Sequence, residues 1–133
     1  MRVGISRSLL GRIMALAQAD PYEICGLLLG EEGVIRDIRP AANIAADPAR
    51  HFELDPAVLI AAHRGARKGG PAILGHYHSH PSGRAEPSAT DAASAAPDGS
   101  FWLILGGGAA RLWSAGPDGQ GGVAFTAISL DIM

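Results

Sequence analysis

Cys25 is the only cysteine in the 133-residue chain. No internal disulfide framework is available, and a reducing compartment fits that usage. Aromatic residues make up 5% of the chain and charged residues 18%. Net charge is −2 with no run of Lys or Arg, so the basic face that marks nucleic-acid binding is missing. No apolar run approaches the ~20 residues needed to cross a bilayer. The opening Met1-Arg2-Val3-Gly4-Ile5 lacks the apolar core of a signal peptide. These absences point to a cytoplasmic protein with neither a membrane nor a nucleic-acid partner. What is plentiful is apolar matter, 47% of residues, enough for a compact core. The length limits that core to one domain, taken as residues 1–133.

Hydrophobic periodicity and turn residues divide the chain into alternating elements. Val3–Ile5 reads as a short strand. Ser6 is an N-cap for a helix through about Ala19, with Leu9, Leu10, Ile13, Leu16 and Ala17 on one stripe. Asp20-Pro21 stops it. Cys25–Leu29 reads as a buried strand, Glu31-Glu32-Gly33 as a turn, and Val34, Ile35 and Ile38 as the returning strand. Asp55-Pro56 opens a second helix that buries Val58, Leu59, Ala62 and Ala66 before Gly69-Gly70. Three more strands are expected, at Phe101–Leu105, Ala110–Ser114 and Val123–Leu130, with a turn at Gly116-Pro117-Asp118-Gly119. The fold class is α/β: a mixed sheet covered by helices.

The most informative stretch is Gly75-His76-Tyr77-His78-Ser79-His80-Pro81, followed by Ser88-Ala89-Thr90-Asp91. Period-two alternation places Leu74, His76, His78 and His80 on one strand face. Pro81 ends the strand, having no N–H for a ladder, and Ser88 opens a helix with Asp91 in its first turn. A strand end and a helix start thus present two imidazoles and a carboxylate. Three such ligands leave one zinc coordination position open, the catalytic arrangement.

Each half has a plainer reading. Ser88 and Asp91 also form a capping box, and His78 and His80 taken alone read as ordinary hydrogen-bonded histidines. The joint pattern is far more restrictive: two histidines one residue apart, a seven-residue gap, then Ser-x-x-Asp.

That pattern resembles the signature of the JAMM (JAB1/MPN+) zinc metallopeptidases. The resemblance extends to Pro21-Tyr22-Glu23-Ile24-Cys25-Gly26-Leu27-Leu28-Leu29-Gly30, with Glu23 where the family has an upstream glutamate, and to Asn43, Phe52 and Asp55-Pro56. It implies a single MPN/JAB1-like domain with a curved mixed sheet flanked by helices, similar to cytidine deaminases. By resemblance, His78, His80 and Asp91 hold one zinc ion per chain. Glu23 acts as general base and Ser88 as the donor to the oxyanion. His76, one strand repeat further back, is expected to pack or hydrogen-bond behind the ligands. Cys25 is expected to be a small buried strand residue.

The resemblance also implies a substrate class. The partner would be a ubiquitin-like or sulfur-carrier protein with a Gly-Gly C-terminus, cleaved at a peptide or isopeptide bond, its tail lying along a sheet edge. Only nine residues separate Asp91 from Phe101, which leaves out the long insertion of eukaryotic deubiquitinases. A homodimer is compatible with the family. Two other readings stand beside this one. A non-catalytic MPN scaffold would act through protein contacts, although such scaffolds usually lack the zinc ligands. A RadC-like, DNA-repair-associated protein would share Pro81-Ser82-Gly83, but position 79 is Ser where Asn is expected.

Overall fold

The computed structural model describes residues 1–133. The order is β1 (Arg2–Ile5), α1 (Arg7–Gln18), β2 (Cys25–Glu31), β3 (Val34–Ala41), α2 (Pro56–Arg67), β4 (Ala72–His80), α3 (Ala89–Ser94), β5 (Phe101–Gly106), β6 (Ala109–Pro117) and β7 (Val123–Ile132). No helix is long and apolar enough to cross a membrane.

The strands run β1-β3-β2-β4-β5-β6-β7 and close into a ring. The sheet is mixed, as expected: β1 runs parallel to β3 and β7, β4 parallel to β5, and the other neighbours antiparallel. Closure is partial in length. The short β1 meets β3 only at Gly4 and Ile5, and β7 only from Ser129 to Ile132. The histidine strand β4 lies between β2 and β5, so the expectation of a tail added along a sheet edge does not apply at β4.

Two clusters fill the two sides of the sheet. The larger includes Val3, Ile5, Leu9, Ile13, Leu28, Ile38, Tyr77, Leu103 and Leu112, with α1 packed against it. The smaller joins Leu27, Leu29 and Ala62, so α2 covers the opposite face. Ser6 caps α1 by accepting the Leu9 N–H at 3.1 Å. Asp55 caps α2, with Pro56 behind it. Each such cap is worth about 0.5–2 kcal/mol.

Four local expectations need correction. Leu16 and Leu59 are each 36% exposed; they stand at the margins of their helical stripes, where the core no longer reaches. Leu74 does not share the histidine face. The β2–β4 register slips there, with Leu28 opposite Gly75 and Leu29 opposite Ile73. This bulge sends Leu74 into the larger core and Ile73 into the smaller one. Finally, β6 continues through Gly116 and Pro117, and the turn is moved to Asp118–Gly122, closed by Asp118 N–H to the Gly122 carbonyl at 3.2 Å.

Candidate metal centre

The end of β4 and the start of α3 meet at three atoms. His78 Nε2 lies 3.1 Å from His80 Nε2 and 3.2 Å from Asp91 Oδ2, and His80 Nε2 lies 3.1 Å from the same oxygen. The triangle is nearly equilateral, with His78 fully enclosed, Asp91 4% exposed and His80 half-buried at the open side. Protons alone satisfy it poorly, because two imidazole nitrogens and a carboxylate converge on one point. Zinc–ligand bonds of ~2.0–2.1 Å at tetrahedral angles would set neighbouring ligand atoms about 3.3 Å apart. The observed triangle fits one divalent ion of that size.

Glu23 enters from the passage between α1 and β2. Its Oε1 is buried without a hydrogen-bond partner. One of its oxygens, with a ring nitrogen from each of His78 and His80, forms a second group whose atoms lie within 4.8 Å of one another. Two ligand sets therefore share the histidines. The closed triangle with Asp91 is the tighter, which leaves Glu23 alongside as an uncommitted carboxylate. Burial pushes the Glu23 carboxyl up to about 7, against the pull of His80 and with the push of Asp91.

The backbone at Glu23 is clamped from three directions. Its N–H donates to the Pro48 carbonyl at 2.9 Å, and its carbonyl accepts from Asn43 Nδ2 at 2.9 Å. The next N–H, of Ile24, donates to Ser79 Oγ at 2.9 Å, while Ser79 N–H returns to the Ile24 carbonyl at 3.1 Å. Ser79, lying between the two histidines, thus ties the Glu23 segment to the histidine strand. Asn43 also accepts the N–H groups of Ala45 and Glu53 and donates to the His51 carbonyl. Neither positioning role follows from local pattern: resemblance alone singles out Asn43, and in the sequence Ser79 shows only as the residue between the two histidines.

The two histidines are oriented by different means. His80 Nδ1 donates to the Arg84 carbonyl at 2.7 Å, which leaves Nε2 for the triangle. His78 Nδ1 has no such partner; Phe52 stacks on its ring instead, centroids 4.3 Å apart and planes at 20°. Burial drives the His78 pKa down. For His80 burial acts the same way, but the Asp91 carboxylate and the Arg84 carbonyl outweigh it and raise the pKa. Asp91 is held well below the usual carboxylate range: burial opposes this, and the two histidines prevail.

His76 stands outside the ligand set. Its ring packs 5.0 Å from Phe52 and 4.4 Å from Trp102, and its Nε2 is buried without a partner. Burial lowers its pKa to about 3, so it stays a neutral packing residue. Cys25 is buried opposite His78 in the ladder, with its thiol pushed up to about 11 by burial.

Ser88 and Asp91 do form the capping box: Asp91 N–H donates to Ser88 Oγ at 3.0 Å and Ser88 N–H to Asp91 Oδ2 at 2.9 Å. The plainer reading is thus present, and the same carboxylate oxygen stands in the triangle with the two histidines. The Ser88 hydroxyl accepts in this box, so its own proton remains free. Ser88 is exposed and lines an open cleft of about 400 Å³ with Glu23, Arg50, His80 and Arg84.

Residues 6–116 match the family described as prokaryotic homologs of the JAB domain. The chain belongs to that family. Its JAB-type α/β architecture is the one the resemblance implied. Among relatives, the desampylase of Haloferax volcanii is 36% identical over 86 residues, covering 63% of this chain and 62% of that protein. A probable TtuB-protein conjugate cleaving protease of Thermus thermophilus is 36% identical over 88 residues, 65% of this chain and 59% of that protein. The matches thus span less than two thirds of either relative's length. The solution structure of protein DSY2949 from Desulfitobacterium hafniense superposes with a TM-score of 0.78 at 29% identity, covering 100% of this chain and 94% of that one.

Proposed function

We propose that this JAB-family chain, over residues 1–133, is a cytoplasmic zinc-dependent peptidase. It would hydrolyse a peptide or isopeptide bond at the Gly-Gly C-terminus of a ubiquitin-like or sulfur-carrier protein. The observation that carries the reading is the closed triangle of His78 Nε2, His80 Nε2 and Asp91 Oδ2, with the unpartnered Glu23 carboxylate beside it. The similarity to a desampylase and to a conjugate cleaving protease supports the substrate class.

His78, His80 and Asp91 would hold one zinc ion. Zinc in a three-ligand site supplies a Lewis acid and lowers the pKa of water from ~15.7 to about 7. Glu23 takes the proton of the attacking water at its free carboxylate oxygen and returns it to the leaving amine. The Ser88 hydroxyl, its proton unspent in the capping box, donates to the oxyanion that forms on the scissile carbonyl. Phe52 and the Arg84 carbonyl keep the two ligand rings from turning.

The deciding experiment incubates zinc-loaded protein with two substrates. One is a sulfur-carrier fusion ending Gly-Gly-Cys; the other is the same carrier joined through Gly-Gly to a lysine side chain. Cleavage after Gly-Gly by wild type, lost in Glu23→Gln, is the expected result, and the preferred substrate identifies the leaving amine. Absence of cleavage of both, with zinc bound, would leave the scaffold reading in its place.

A further inference from the structure

The loop Pro81–Pro87 joins the two halves of the ligand set, and one of its own groups, the Arg84 carbonyl, fixes His80. Nothing within the loop suffices to hold that carbonyl still: its internal backbone bond runs from Gly83 N–H to the His80 carbonyl at 3.2 Å. The β5–β6 hairpin supplies the rest. Gly106 lies directly across the ladder from His80. A Cβ placed on Gly106 would stand 2.6 Å from the Arg84 carbonyl carbon and 2.8 Å from both the Arg84 and the Gly83 oxygens. The Gly106 backbone is therefore laid flat against the Gly83–Arg84 peptides, an approach that only glycine permits. One residue further along the loop, the Ala85 carbonyl accepts from Trp113 Nε1 at 3.1 Å, with Ala85 itself buried. Arg111 lies over the Trp113 ring, 5.4 Å from its centroid, and reaches Glu86 at 3.4 Å.

We propose that Gly106 and Trp113 are positioning residues of the metal centre. From β5 and β6 they hold the Gly83–Ala85 backbone so that the Arg84 carbonyl keeps His80 Nδ1 protonated and Nε2 facing Asp91. This rests on the zinc reading given above, and it adds a second wall to the site that the ligand signature does not contain. Gly106→Ala drives the carbonyl off its place. Trp113→Phe keeps an aromatic ring but removes the N–H that anchors the neighbouring carbonyl. In both, His80 loses its fixed orientation while every ligand remains.

The test compares zinc affinity, by competition with a chromophoric chelator, and the melting temperature of the metal-free protein. The variants are Gly106→Ala, Trp113→Phe and a control, Gly30→Ala. In the control the added Cβ would meet the Val34 carbonyl oxygen at the β2–β3 end, away from the site. Gly106→Ala should weaken zinc binding about 10–100-fold, the usual range when the group behind a ligating histidine is disturbed, and Trp113→Phe should weaken it several-fold. Gly30→Ala should melt lower with unchanged zinc affinity. Wild-type affinity in Trp113→Phe and in any folded Gly106→Ala overturns the proposal. So does an equal loss in Gly30→Ala, which would reduce the effect to general destabilisation. If wild type takes up no zinc, the function reading fails. The ring ¹⁵N spectrum of metal-free protein, taken at a pH where His80 is neutral, then decides the inference: His80 protonated on Nδ1 in wild type, mixed in the two variants. An unaltered tautomer contradicts it.

Discussion

Asp91 Oδ2 and the backbone N–H of Ser88 are 2.9 Å apart, and the same oxygen faces both His78 and His80 at 3.2 and 3.1 Å. The helix cap and the proposed ligand set share one carboxylate oxygen, so α3 cannot shift without moving a proposed ligand. Asp91→Asn keeps the shape but removes the charge. It should lower zinc affinity by more than tenfold while the metal-free protein still folds, as read by chelator competition and by circular dichroism.

In the metal-free protein several shifted groups act in opposite senses: His76 and His78, whose pKa values burial lowers, cost stability as pH falls below about 6.5. Asp91 has a depressed folded pKa, so its contribution is present above the unfolded value of about 3.9 and is lost as pH falls. His80 has a raised one; its contribution is complete below about 6.5 and is lost as pH rises through the folded value. Glu23, raised from 4.5 to about 7, adds a penalty that grows over that interval, where the unfolded chain's carboxyl ionises while the buried one stays protonated, and is constant above it. Glu23→Gln should therefore melt higher than wild type at pH 8 and match it near pH 4, both without metal. The same variant should retain zinc and lose about 10²–10⁴-fold in kcat, the usual worth of a general base. A Glu23→Gln protein that melts lower at pH 8 would remove the buried carboxylate from the account.

Ser88→Ala removes both a cap and a donor. Loss of the cap should cost about 0.5–2 kcal/mol in urea unfolding, and loss of the donor about 10²–10³-fold in kcat with KM nearly unchanged. Ser88→Thr restores both groups and should recover most of each. Recovery of stability without activity would assign Ser88 to the cap alone.

His76→Phe should leave zinc stoichiometry unchanged. The His76 ring is surrounded by Phe52, His78 and Trp102, and its Nε2 has no partner to lose, so an apolar ring of similar size suits the position. The measured stability should be equal to or above wild type. A loss of bound metal would make His76 a ligand.

Much of this was legible because the informative residues are neighbours in sequence. His78, His80, Ser88 and Asp91 span one strand end and one helix start, so period, proline and cap residues suffice to bring them together. Glu23 is different: it is one of 13 acidic residues and carries no local pattern, so only resemblance could single it out. Its clamps, Asn43 and Ser79, act across 20 and 55 residues of chain, a range at which hydrophobic period says nothing. Ring closure through β1 and β7 is equally long-range. Leu74 departs from the histidine face for another reason. Period two assumes an unbroken ladder, whereas Gly75 lies so close to β5 that a Cβ there would strike the Phe101 carbonyl. That contact, invisible in β4 alone, accompanies the register slip.

X-ray absorption at the zinc edge on the loaded protein tests the central claim most directly. One zinc per chain, with two imidazole nitrogens and light-atom oxygen ligands and no sulfur, is the predicted result, with one imidazole lost in His78→Ala. Zinc bound through the Cys25 sulfur, or a spectrum unchanged in His78→Ala, would contradict it.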